Sequence, residues 1–212
     1  TATAISRQGK LDEARAFLRA VSPRGEQERV QLLSAESQLL RDANQHRAAY
    51  DLLGEALSKS PDQPDLLYDQ ALTAEKLDRF DVLESNLKRV IQIKPDHAHA
   101  YNALGYSFAD RNVRLPEAKK LIEKAIELAP NDLYIVDSLG WVLYRMGDLK
   151  GAATHLRRAW EGRPDGEIGA HLGEVLWIQG LRDEARRIWD EALKASPDND
   201  TLLKTLKRFN VR

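Results

Sequence analysis

Five prolines recur at near-constant spacing in this 212-residue chain: Pro61, Pro95, Pro130, Pro164 and Pro197. Their intervals are 34, 35, 34 and 33 residues. Proline inside an α-helix removes a backbone hydrogen bond and clashes with the preceding turn. Regular prolines therefore predict regular helix ends, and a fixed period of roughly 20–50 residues marks a repeat architecture.

Upstream of each proline stands the same triplet of small and aliphatic residues. Ala49-Leu53-Ala56, Leu83-Leu87-Val90, Ala118-Ile122-Ala125, Ala152-Leu156-Ala159 and Ala185-Trp189-Ala192 each follow an i, i+4, i+7 spacing. That spacing puts three residues on one helical face. The alanines let a second helix approach closely. Leu104-Gly105, Leu139-Gly140 and Leu172-Gly173 supply the matching surface on the partner helix. A mid-helix glycine costs about 1 kcal/mol against alanine, so packing must favour it. Turns between paired helices are expected at Gly9, Asn44, Asp78, Asn112, Gly147 and Gly180, residue types that tolerate left-handed backbone. Asp62, Asp96, Asn131, Asp165 and Asp198 follow the prolines and are placed to cap the next helix. In the most regular unit, Asn131 to Asp165, the pattern predicts helices from Leu133 to Met146 and from Leu149 to Gly162.

These slots resemble the tetratricopeptide repeat (TPR). The resemblance implies an all-α solenoid of antiparallel helix pairs forming part of a right-handed superhelix. The chain divides into a partial repeat at 1–25, full repeats at 30–63, 64–97, 98–132, 133–165 and 166–199, and a capping helix at 200–212. Gln70-Ala71 replaces Leu-Gly, Pro23-Arg24-Gly25 breaks the register, and an extra residue falls near Arg114-Leu115-Pro116. Starting inside a repeat suggests a fragment of a longer array. In the last segment, Leu202, Leu203, Leu206 and Phe209 form the expected apolar stripe, with Lys204, Lys207 and Arg208 in water.

The charge balance, 32 basic against 33 acidic residues, offers no patch for nucleic acid. Cysteine is absent, and no apolar run reaches the roughly 18 residues of a membrane span. No catalytic motif, cofactor fingerprint or metal-ligand spacing stands out, so no catalytic or metal residue and no cofactor is expected. His97 and His99 diverge on a helix and read as polar residues at its start. The basic pairs Lys119-Lys120, Arg157-Arg158 and Arg186-Arg187 lie among acidic neighbours and read as a solvated face.

What packing does not demand is a set of aromatic and charged residues on the first helices. Tyr68, Asn102, Tyr106, Tyr134, Asp137, Trp141, Tyr144, Arg145, His171, Glu174 and Trp177 are therefore the candidate partner-binding residues. The resemblance implies that these helices line a concave groove, where Tyr and Trp act as anchors and Asp137, Arg145 and Glu174 set register. Trp160 and Trp189, on second helices, are expected between repeats. The Lys, Arg and Asn set of a carboxylate clamp is missing. The expected function is a non-enzymatic protein-binding scaffold, the alternative being a structural self-association module.

The stretch from Asp96 to Trp160 is similar to large TPR lipoproteins of Gram-negative bacteria, among them adaptors of periplasmic C-terminal processing proteases. That similarity implies a periplasmic scaffold held at the outer membrane by an N-terminal lipid. It also implies a protease partner acting on cell-wall hydrolases. A cytoplasmic location is the alternative.

Overall fold

A computed structural model of the chain describes residues 1–211. Arg212, the end of the capping segment expected over 200–212, lies outside the described residues. The described residues form thirteen α-helices and no strand. They are α1 (Ala2–Ser6), α2 (Leu11–Arg19), α3 (Glu26–Asp42), α4 (His46–Lys59), α5 (Pro64–Glu75), α6 (Phe80–Ile93), α7 (Ala98–Asp110), α8 (Leu115–Leu128), α9 (Leu133–Arg145), α10 (Leu149–Gly162), α11 (Gly166–Ile178), α12 (Arg182–Ala195) and α13 (Asp200–Arg208). Two compact units divide them, Thr1–Ala100 and Tyr101–Arg212.

Within each unit the order of packing follows the order of the chain. In the first, α1 through α6 contact one another in succession, and α3 also touches α5. In the second, α8 through α13 do the same, and α9 also touches α11. Contact between successive hairpins is how a solenoid buries a core that no single repeat could enclose.

All six expected turn residues have left-handed backbone. Gly9, Asn44, Asp78, Asn112, Gly147 and Gly180 have φ of 79°, 56°, 56°, 57°, 88° and 85°. The extra residue near Arg114 is absorbed by a second left-handed residue, Arg114 itself at φ 50°, which caps α8. The capping expectation needs correction. Asp165 does accept hydrogen bonds from the Glu167 and Ile168 amides. Elsewhere the cap falls one residue later, at Asp132 on α9 and Asn199 on α13. Gln63, at the start of α5, makes no side-chain cap, and Asp62 pairs with Arg89 instead. After Pro61, Pro130 and Pro197 the turn is one residue longer than the spacing suggested, and after Pro164 it is as expected.

Every member of the five triplets is buried. Their small residues admit the opposing helix so closely that a Cβ added at Gly140 would lie 2.6 Å from Leu156, and one at Gly173 would lie 2.1 Å from the Trp189 indole nitrogen. Trp189 is fully buried, as expected, and Trp160 is half-buried beside it. Gln70, on α5, is buried with its amide oxygen accepting from Asn86 Nδ2 at 2.8 Å, so the departure from Leu-Gly is satisfied within its own hairpin. On α13, Leu202 and Thr205 are buried while Leu203 is 44% exposed. The apolar stripe is therefore narrower than four residues.

Candidate functional site

The first helices of the second unit carry most of the candidate residues. Asp137, Ser138 and Trp141 sit on one side of α9, and His171 and Glu174 on the facing side of α11. Asp132 and Asp165 cap the two helices, satisfying their first amide groups and fixing where each begins.

His171 is the hub. Its Nδ1 lies 2.9 Å from Asp137 Oδ2 and 3.1 Å from Oδ1. Its Nε2 lies 3.4 Å from the Tyr106 hydroxyl, which donates to Glu167 Oε1 at 3.0 Å. Trp141 stacks on the imidazole with centroids 4.2 Å apart and planes 20° apart. Tyr144 packs against Trp141 at 5.1 Å and donates to Glu174 Oε1 at 3.0 Å. The second oxygen of Glu174 accepts from Arg208 on α13. Arg145 lies over the Trp141 ring at 5.6 Å.

The electrostatics follow from this geometry. Burial on its own pushes the His171 imidazolium down. The charge and hydrogen bond of Asp137, with Glu167 and Glu174 behind it, outweigh burial and raise its pKa to about 9. The protonated form of His171 is therefore favoured at neutral pH, with Nδ1 facing the Asp137 carboxylate. Tyr144 is pushed up to about 12 by burial and then by Glu174, and Tyr106 is raised well above the ordinary phenol value by burial and then by the charge of Glu167. The Asp–His pair is thus a structural lock joining α9 to α11, and Tyr106 extends it from α7.

This overturns the expected exposure of the site. Asp137, Trp141, His171 and Glu174 are 3%, 4%, 1% and 3% exposed. Asp137 and Glu174 cannot set a partner's register, because their carboxylates are spent on His171, Tyr144 and Arg208. Side chains of α7 and α11 meet across α9, filling the inner face with the chain's own groups. Trp141 Nε1 is buried with no hydrogen-bond partner among the described residues, and so is Asn102 Oδ1.

The remaining candidates lie apart. Tyr134 is 42% exposed beneath Arg163, at 4.5 Å. Trp177 belongs to an aromatic cluster with Trp189 and Phe209, at 5.5 and 5.9 Å. Tyr68, in the first unit, packs against His97 at 5.1 Å. His97 Nδ1 accepts from the Ala100 amide, which makes it a helix cap, in line with a polar residue at a helix start. The spacing missed Glu167 and Arg208. Glu167 could have been found one helical turn before His171, on the same face. Arg208 looked like a solvated cation, and only the docking of α13 on α11 brings it to Glu174.

Two consecutive arginines behave as the mixed charge predicted. Arg157 forks onto Glu184 of α12, and Arg158 donates to the Pro130 carbonyl. No helix among the described residues is long and apolar enough to cross a membrane.

An array of helix hairpins closed by left-handed turns, with side chains of successive hairpins knitted together, defines a repeat solenoid. The chain is a tetratricopeptide repeat protein. Residues 138–200 and 1–20 match that family. A TPR repeat-containing protein of Pseudomonas aeruginosa is 42% identical over 205 residues, which is 97% of this chain and 35% of that protein. The chain thus spans about a third of the length of this relative. A thermophilic TPR protein of Thermus thermophilus superposes with a TM-score of 0.76 at 23% identity, covering 86% of this chain and all of that one. Another, from Parabacteroides merdae, gives 0.74 at 14% identity, covering 99% of this chain and 84% of its own. These two share the fold. The TPR fold is that of a scaffold for protein–protein interaction, generally without catalysis.

Proposed function

We propose that this chain is the protein-binding part of a periplasmic adaptor, carried on a lipoprotein anchored in the outer membrane. It brings a C-terminal processing protease together with the cell-wall hydrolases that the protease cleaves. The observation that carries the adaptor reading is the hub itself. Three consecutive first helices are joined by polar contacts, with the buried His171 imidazole at their centre held between Asp137 and Tyr106. Such a stack is a stiff platform on which outward side chains can be presented. The finer reading is supported by the similarity of the stretch from Asp96 to Trp160 to TPR lipoproteins of that kind. Of the candidate residues, Tyr68, Asn102, Tyr106, Tyr134, Tyr144, Arg145 and Trp177 retain accessible surface that could touch a partner.

Reconstitution tests this directly. Purified protease and a cell-wall hydrolase are incubated with and without the chain, and hydrolase cleavage is followed on gels. Holding both proteins on one platform raises their effective concentration, so acceleration of roughly tenfold or more is expected. An unchanged rate, together with no co-sedimentation of either protein, overturns the adaptor. Fractionation of cells making the full-length protein checks the location: detergent-released outer-membrane material supports it, and a cytosolic pool refutes it.

A further inference from the structure

Half of the eight large apolar side chains exposed among the described residues lie at turns within the second unit. They are Val113, Met146, Ile178 and Leu181, at 40%, 44%, 49% and 45% exposure. Three of these belong to the neighbouring turns after α9 and α11. The two turns abut, because Gln179 Nε2 donates to the Leu149 carbonyl at 2.9 Å.

The same edge carries arginines whose guanidinium carbons lie over aromatic rings. Arg145 lies 5.6 Å from the Trp141 centroid, and Arg182 and Arg186 lie 5.2 and 5.6 Å from that of Trp177. None of the three forms an ion pair among the described residues, whereas Arg114, Arg157, Arg163 and Arg208 of this unit do. Of the nearby carboxylates, two are committed, and Asp190, exposed one turn after Arg186, forms no ion pair with it among the described residues. Asp148 caps the Gly151 amide, Glu184 holds Arg157, and Asp183 stands exposed in the first turn of α12. A ring beneath a guanidinium attracts it without neutralising it, so its N–H groups can still donate to a carboxylate.

We infer that this edge, made by Met146, Ile178 and Leu181 with Arg145, Arg182 and Arg186, docks an acidic peptide segment whose carboxylates alternate with apolar side chains. The inference rests on the scaffold reading and names the surface and partner chemistry it would use. Helices of neighbouring hairpins pack about 10 Å apart, so a few residues of extended chain bridge the two turns. The apolar trio supplies contact area, and the arginines select charge and direction. The inner face is not needed, since its own side chains fill it.

Fluorescence anisotropy tests the edge with a labelled peptide of about twelve residues, leucine at every third position and glutamate or aspartate elsewhere. A matched peptide with lysine for every acid is the control. The acidic peptide should bind, weaken several-fold as salt is raised, and lose roughly tenfold or more in affinity with R145E/R182E/R186E. M146S/I178S/L181S should weaken it comparably at unchanged salt dependence. Circular dichroism and urea unfolding verify that both variants fold. Equal binding of the lysine peptide, or full binding by either folded variant, overturns the inference. So does light scattering that shows the edge occupied by a second copy of the chain in the wild type and free in the variants. If protease and hydrolase are still captured while the acidic peptide fails to bind, the edge is wrong and the scaffold stands.

Discussion

The two units build the inner faces of their first helices from different chemistry. In the first, arginine–carboxylate contacts tie neighbouring helices. Buried Glu36 on α3 accepts from Arg15 and Arg19 of α2, at 3.0 and 2.6 Å, and Arg41 reaches Asp69 of α5 at 3.3 Å. These arginines keep part of their surface in water; the Arg19 side chain is 57% exposed. In the second unit, an imidazole and a tryptophan out of solvent do the same work, with two half-buried tyrosines beside them. The lesson concerns desolvation. A pair in contact with water loses little when broken, because water replaces the lost partner. A pair sealed under Trp141 leaves an uncompensated charge.

The comparison can be broken most severely at Asp137. Asp137→Ala should cost about 3–5 kcal/mol in urea unfolding, as expected when one member of a buried ion pair is removed. A loss below about 1 kcal/mol, the scale of an exposed pair, would show that solvent reaches His171. Next comes pH. The folded pKa of His171, about 9, stands above its ordinary 6.5. Its contribution is therefore complete below about pH 6.5 and disappears as pH rises through about 9, a loss on the order of 3 kcal/mol. Between pH 6 and pH 10 the urea midpoint should fall further for the wild type than for His171→Gln. Tyr144 and Tyr106 are raised from the ordinary phenol value, so ionisation of these residues in the unfolded chain begins to cost stability only at the top of that window, and it does so in both proteins.

A smaller effect separates the frameworks. Gly173→Ala should cost about 1–3 kcal/mol by overpacking against Trp189. The corresponding position of the first unit already holds a fully buried alanine, Ala71, opposite aliphatic residues. Thermal unfolding of Gly173→Ala with and without Trp189→Leu measures the difference, and rescue by the second change is expected. Smaller again is Arg41→Ala, at about 1–2 kcal/mol, with part of the cost removed by molar salt. If it matched Asp137→Ala, the contrast between the units would collapse. Lys59→Ala, breaking a surface pair with Glu55, should change stability by no more than a few tenths of a kcal/mol.

Much of the fold was legible because its determinants are local. A left-handed residue is chosen by its own side chain, so Gly9, Asn44, Asp78, Asn112, Gly147 and Gly180 could be placed from spacing. Small residues at i, i+4 and i+7 announce a close helix partner wherever they occur, and all five triplets are buried. The candidate site was half legible. Seven of its residues do converge: Tyr106, Asp137, Trp141, Tyr144, Arg145, His171 and Glu174. Their exposure was misjudged. A helical wheel states which side a residue occupies, and it says nothing of what two neighbouring helices bring to that side.

By itself, then, the sequence determined the repeat length, the positions of the turns and the face each helix presents to its partner, because each depends on residues within one hairpin. The tertiary structure alone decided the fate of the inner side chains. Tyr106 meets Glu167 across 61 residues and Arg208 meets Glu174 across 34. Such contacts depend on how successive hairpins rotate and close on one another. That rotation is set by the summed packing of many side chains. It turns a row of apparent anchors into a sealed polar core and leaves Arg145, Arg182 and Arg186 at the outer edge.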